Sequence, residues 1–166
     1  MQLNGLIYTL PKEIKLLIGA FILVLSIGFY TGLLFVGETS SAAPNGIEEQ
    51  YLGNETDEDA EVMKFKKSEQ EILTLVHNHI LSMSIIFFLV GLVLSTTKLN
   101  QKLKLFLIVE PFVSVVLTFG GLYLLWTGLL WMKYIVMLSG ILMTLTFTAS
   151  VLIILFQLFK NKTTTA

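Results

Sequence analysis

Four long apolar runs divide the chain, at residues 16–36, 72–95, 105–126 and 131–156. Each is long enough to cross a hydrocarbon core of about 30 Å, which takes roughly 20 helical residues. Backbone groups find no water in lipid, so every run is predicted to be helical. Only Thr127, Gly128, Leu129 and Leu130 separate the third run from the fourth, which predicts a tight antiparallel hairpin. Trp126 and Trp131 flank that turn, where an aromatic belt would place them. The predicted fold class is all-α. It is a four-helix transmembrane bundle in a single integral membrane domain, residues 1–166, with one acidic extracytoplasmic loop at 37–68.

The polar positions between the runs set the expected orientation. Lys12 and Lys15 precede the first span, Lys98, Lys102 and Lys104 fill the short loop after the second, and Lys160 and Lys162 follow the fourth. The opposite side holds Lys133 and the 37–68 loop, whose eight acidic residues come before Lys64, Lys66 and Lys67. The positive-inside rule then predicts cytoplasmic N- and C-termini in a multi-pass protein of the cell membrane, a bacterial inner membrane. The first span followed by "TSSAAP" also reads as a signal peptide. Its 21 apolar residues exceed the roughly 7–15 of a signal core, so retention is expected.

Composition agrees with the pattern and removes several chemistries. The chain is 54% hydrophobic with mean hydropathy +0.78, the balance of a polytopic membrane protein. It lacks cysteine, which excludes disulfides, thiol nucleophiles and Cys-based metal sites. All eleven basic residues are lysine, so no arginine can clamp a phosphate or carboxylate with two hydrogen bonds. A net charge of −1 gives no case for a nucleic acid partner. In the loop, "NETDEDAE" from Asn54 to Glu61 reads as a solvated acidic face, since it lacks the spacing and turn glycine of a calcium loop. Ile47, Tyr51 and Leu52 share one side of a helical turn that would lie against lipid headgroups.

The only two histidines open the second span, in "LVHNHILSMS". Ser68 and Glu71 form a predicted capping box that starts this helix outside the membrane. Seven residues past Ile72, His79 lies about 10 Å inside at 1.5 Å per residue. Residues two apart on a helix diverge by about 200°, so His77 and His79 cannot hold one metal from the same helix. Thr74, His77, Asn78 and Ser82 share a polar arc, and His79 shares the other face with Met83. Two readings follow. The histidines are separate ligand or proton sites, or they hydrogen-bond to neighbouring helices. Ionisable groups within a span are costly enough to point to function by default.

"HNHIL" resembles the His-x-His element of haem–copper oxidase large subunits, in which two histidines on opposite faces of one helix ligate two different haems. That likeness covers five residues, and every other ligand of that family is missing. The chain as a whole is similar to uncharacterised small four-helix bacterial membrane proteins with a His-x-His near the outer end of a span, a likeness that implies no activity. Independently of either, a haem b would need a second axial ligand, and methionine can serve. Met137 lies about 9 Å into the fourth span, level with His79. The cofactor-binding candidates are therefore His79, His77 and Met137, for a haem b or a metal ion.

Glu110 is the one acid inside a span, followed by the kink-forming Pro111. Glu110, Ser114, Thr118 and Gly121 make a stripe, and Ser139, Met143, Thr146 and Ser150 make another on the fourth span. Small and hydroxyl residues let membrane helices approach and cross-bond. Glu110 is either a protonatable site or a side chain snorkelling to Lys98, Lys102 or Lys104. With Asn78 and Ser82 it completes the proton and polar candidates. No nucleotide, metalloprotease or nucleophile-elbow motif is present, so an enzyme acting alone is not expected. The leading functional expectation is a binding or accessory subunit of a membrane complex, in the respiratory class, with haem or metal at the His-x-His. The alternatives are a structural or assembly protein without cofactor, and a small proton-coupled carrier using Glu110. The expected partners are the lipid bilayer with other membrane subunits or further copies of the chain.

Overall fold

A computed structural model describes residues 3–40, 43–55 and 62–160. Every regular element in it is helical. α1 is Lys12–Ser40, α2 Pro44–Leu52, α3 Glu69–Ser95, α4 Gln101–Val115, α5 Gly121–Trp126 and α6 Met132–Phe159. A π-turn, Val116–Gly120, joins α4 to α5, so the third span runs unbroken from Gln101 to Trp126. Among the described residues, four helices are long and apolar enough to cross a membrane, as the sequence predicts.

The second and third spans start before their apolar runs because polar flanks cap them. The Ser68 hydroxyl accepts from the Glu71 N–H at 3.3 Å, and the Glu71 carboxylate accepts from the Ser68 N–H at 2.8 Å. This is the predicted capping box, and it ties down two of the orphan N–H groups at the start of α3. Asn100 caps α4 by accepting from the Lys102 N–H at 2.9 Å.

α6 is the hub and packs against α1, α3, α4 and α5. At its middle the fully buried Phe147 stacks on Phe29 of α1, with centroids 4.0 Å apart, and meets Phe87 of α3 edge-on at 6.2 Å. The hairpin register follows from two contacts. Thr118 bonds Ser139 at 2.7 Å, and a Cβ on Gly121 would stand 2.9 Å from Val136. The small residues of the third span thus let it settle closely on α6.

The two ends of the bundle are closed by different chemistry. At the end carrying both termini, the Gly5 and Ile7 N–H groups donate to the Thr96 carbonyl at 3.0 and 3.2 Å. There the Gln157 amide clamps Lys98, accepting from its N–H at 2.7 Å and donating to its carbonyl at 3.1 Å. At the other end, Trp126 Nε1–H donates to the Lys67 carbonyl at 2.7 Å, and Lys133 pairs with Glu48 at 2.6 Å.

α2 departs from expectation. Its Ile47 is 7% exposed and belongs to the core, with Tyr51 and Leu52 packed beside it, so α2 lids the bundle instead of lying on headgroups. The Lys133–Glu48 pair and the returning segment 62–68 hold it there. Asn54 and Lys64 exchange backbone and side-chain bonds of 3.0 and 2.6 Å, and the Lys67 N–H donates to Tyr51 at 3.1 Å. Gly53 makes the sharp return with φ of +84°, where a Cβ would come within 2.8 Å of the Lys66 nitrogen. Most of the acidic patch, 56–61, lies outside the described residues.

Candidate functional site

The His-x-His element sits about two to three turns inside the capped start of α3. His79 Nδ1 lies 2.8 Å from the Leu75 carbonyl of its own helix. A carbonyl only accepts, so Nδ1 carries the hydrogen and the lone pair is left on Nε2. The ring stacks on Phe119 with centroids 4.6 Å apart and planes 27° from parallel. Phe119 belongs to the π-turn, which also carries the Thr118 hydroxyl that bonds Ser139. One irregular turn of the third span therefore serves both neighbours. π-turns of this kind recur at functional positions in helices.

The rest of the polar arc points away from the bundle. Thr74, His77, Asn78 and Ser82 are all exposed on the outside of α3. Ser82 donates back to the Asn78 carbonyl at 2.6 Å. Among the described residues, the side chains of His77 and Asn78 make no hydrogen bond within the chain. Of the two readings, the one in which the histidines hydrogen-bond to neighbouring helices has no such bond among the described residues. His79 bonds to its own backbone, and the arc has nothing beside it because α3 turns its other side to α4 and α6.

Met137 is half-buried on α6 against the core, while His79 is held by Leu75 and Phe119. Among the described residues, no three His, Cys, Asp or Glu side chains converge as a metal site requires. On its own, then, the site offers one aromatic-backed imidazole nitrogen, able to ligate or to accept a proton.

Glu110 is the second locus, nearer the end that carries the termini. It is 7% exposed, on the face of α4 turned to α6. The Thr118–Ser139 register places it at the level of Thr146 and Phe147. The Ser114 hydroxyl donates to Oε1, and Oε2 is buried with no partner. The expected snorkel to lysine does not form. Lys104 turns instead to Asn4 Oδ1 at 2.9 Å and to the Ser95 and Thr97 carbonyls at 3.1 and 2.5 Å. Those last carbonyls of α3 carry the negative end of its dipole and draw the ammonium away.

Hydroxyls between the two loci do not form a wire. Thr144, Thr146 and Thr148 bond back to Gly140, Leu142 and Thr144 of their own helix at 2.9, 2.9 and 2.7 Å. Among the described residues, hydroxyls bond across spans only in Thr118–Ser139 and Tyr30–Thr148. A shallow groove of about 360 Å³ along α1, lined by Leu17, Ala20, Phe21, Val24 and Leu25, is apolar and suits an acyl chain.

Sequence reasoning missed two residues. Phe119 is one of twelve phenylalanines, and only the π-turn singles it out. Gln157 had a legible signal, a lone amide in the apolar "ILFQLF".

Comparison with known proteins adds a family. No curated protein and no solved structure matches the chain. A family model described as a transmembrane helical domain matches residues 41–165, which takes in α2 to α6 and leaves α1 outside. With 125 of its 166 residues under that model, the chain belongs to this family of transmembrane helical domains.

Proposed function

We propose that this protein is an accessory or binding subunit of a larger membrane assembly, with α3 as its working face. His79 Nε2 is one ligand for a haem or metal ion whose other ligands come from a neighbouring helix. The observation that carries this reading is the pinned imidazole. Its Nδ1–H is tied to Leu75 and its ring to Phe119, so Nε2 is fixed in tautomer and direction on an outward face. Ligating histidines are held in this way by a bond from the other ring nitrogen. Among the described residues, no group of three His, Cys, Asp or Glu gathers around it, which fits a subunit better than a self-contained haem protein.

The test uses protein purified under conditions that retain labile cofactors, with a Soret band and metal analysis as readouts. His79→Phe keeps the ring stack and removes the ligand nitrogen. It is expected to abolish the band or the metal while leaving thermal stability within about 1 kcal/mol, the scale of one aromatic pair. His77→Ala is expected to keep both. A colourless, metal-free wild type retires the ligand role and leaves α3 as an assembly face alone.

A second reading has its own observation. The buried, unpartnered oxygen of Glu110 suits a carboxyl that accepts and releases a proton, as in a small proton-coupled carrier. The back-bonded hydroxyls of α6 offer no relay to it, so it ranks below the first.

A further inference from the structure

The outward face of α3 has a pattern that points to its partner. Thr74, Asn78, Leu81, Ile85, Phe88 and Leu92 fall at spacings of four, three, four, three and four. All six are exposed, Leu81 at 54%, Ile85 at 62%, Phe88 at 56% and Leu92 at 51%. This is the 3.5-residue repeat of a coiled-coil seam. The apolar members alone say nothing, since lipid welcomes them equally. Asn78 is the member that decides. Six residues past Ile72 along the helix, it stands about 9 Å inside the apolar run. Its amide has two donors and an acceptor, and none of them is met by another group among the described residues. In hydrocarbon such groups are normally turned to another helix.

We propose that this seam is filled by α3 of a second copy of the chain, forming a parallel, two-fold symmetric dimer with Asn78 facing Asn78. Three points favour a copy over a foreign helix. Two molecules inserted with one topology bring Asn78 to the same depth automatically. An amide is complementary to itself, giving and accepting equally, so a two-fold interface satisfies both copies. Between Glu71 and Lys98 α3 has no charged residue, so no oppositely charged partner is called for. A single asparagine within an apolar seam is the known device for fixing register and two-strandedness. His79 lies about 100° from Asn78 around the helix and keeps its stack on Phe119, free for the ligand role. The proposal rests on the reading of α3 as an assembly face, not on the cofactor.

The cysteine-free chain allows a direct test in native membranes with the full-length protein. Leu81→Cys and Ile85→Cys mark the seam, and Leu23→Cys on α1 and Leu145→Cys on α6 mark other exposed faces. Oxidation is expected to give a homodimer band for the two seam variants and none for the others. Adding Asn78→Leu to Leu81→Cys should lower the crosslinked fraction at limiting protein roughly three- to thirtyfold, the range for one interhelical hydrogen bond. Co-purification of untagged with tagged chain should fall alongside it. A photo-crosslinker at Leu81 separates the failures. Capture of one different membrane protein there overturns the homodimer and keeps α3 as an assembly face. Capture of lipid alone overturns both. A homodimer band from Leu23→Cys or Leu145→Cys in place of the seam also overturns the proposal.

Discussion

Glu110 and Asn78 are both polar side chains in apolar spans, and they differ in where their unmet groups point. Glu110 turns into the core with Oε2 unpartnered, while Asn78 turns outward. A buried orphan acceptor costs about 1–3 kcal/mol, whereas an apolar side chain of similar size does not. Glu110→Leu is therefore expected to raise the thermal stability of the detergent-solubilised protein by about that amount. Ser114 loses its acceptor in the variant but can bond back to its own helix, as Ser82 and Thr144 do. Loss of stability on this substitution would mean that Oε2 has a partner in the membrane. Both residue types were legible in the sequence as costly. Their directions were not, because helical phase gives a residue's face and not which neighbour occupies it.

Among the elements, α2 shows how far a short amphipathic turn can be redirected by its surroundings. Its apolar side is plain in the sequence, yet a lipid surface and the end of a helix bundle are equally good cover for it. The Lys133–Glu48 pair and the Gly53 return decide for the bundle. Burial against the core pushes the Tyr51 phenol above its usual 10.0. The folded state thus holds this proton more tightly than the unfolded state. The resulting stability is complete below the ordinary value and is lost as pH rises through the raised one. Between about pH 9 and about pH 11 the wild type should lose more thermal stability than Tyr51→Phe, since the lysines titrate alike in both. Parallel curves would place Tyr51 in contact with water. The π-turn of the third span is the other element that pattern could not supply. Pro111 announces irregularity four residues after Leu107, but the irregular turn forms further on, at Val116–Gly120. There Phe119 meets His79 and Thr118 meets Ser139, so the backbone departs from α geometry where two neighbours are served at once.

For the whole molecule, the bonds at each end bring the termini and the Lys98–Lys104 loop together, away from α2. The lysines at that end lead to the proposal that it is cytoplasmic. An impermeant maleimide should label Glu55→Cys in intact cells and Lys102→Cys only after permeabilisation. The converse result inverts the orientation. Span number, helicity, the α3 capping box and the all-α class were determined by the sequence alone, because lipid forbids unpaired backbone and 20 apolar residues have no other use. The capping box is equally local, a matter of residues three apart. Tertiary structure alone decided that α6 is the hub, that Lys104 serves the end of α3 and not Glu110, that His79 stacks on Phe119, and that the arc around Asn78 is left uncovered. In a soluble protein the hydrophobic pattern separates inside from outside. In a membrane span both sides are apolar, so the face each helix turns to its neighbours is set by close packing and by the few polar groups, which only the assembled bundle reveals.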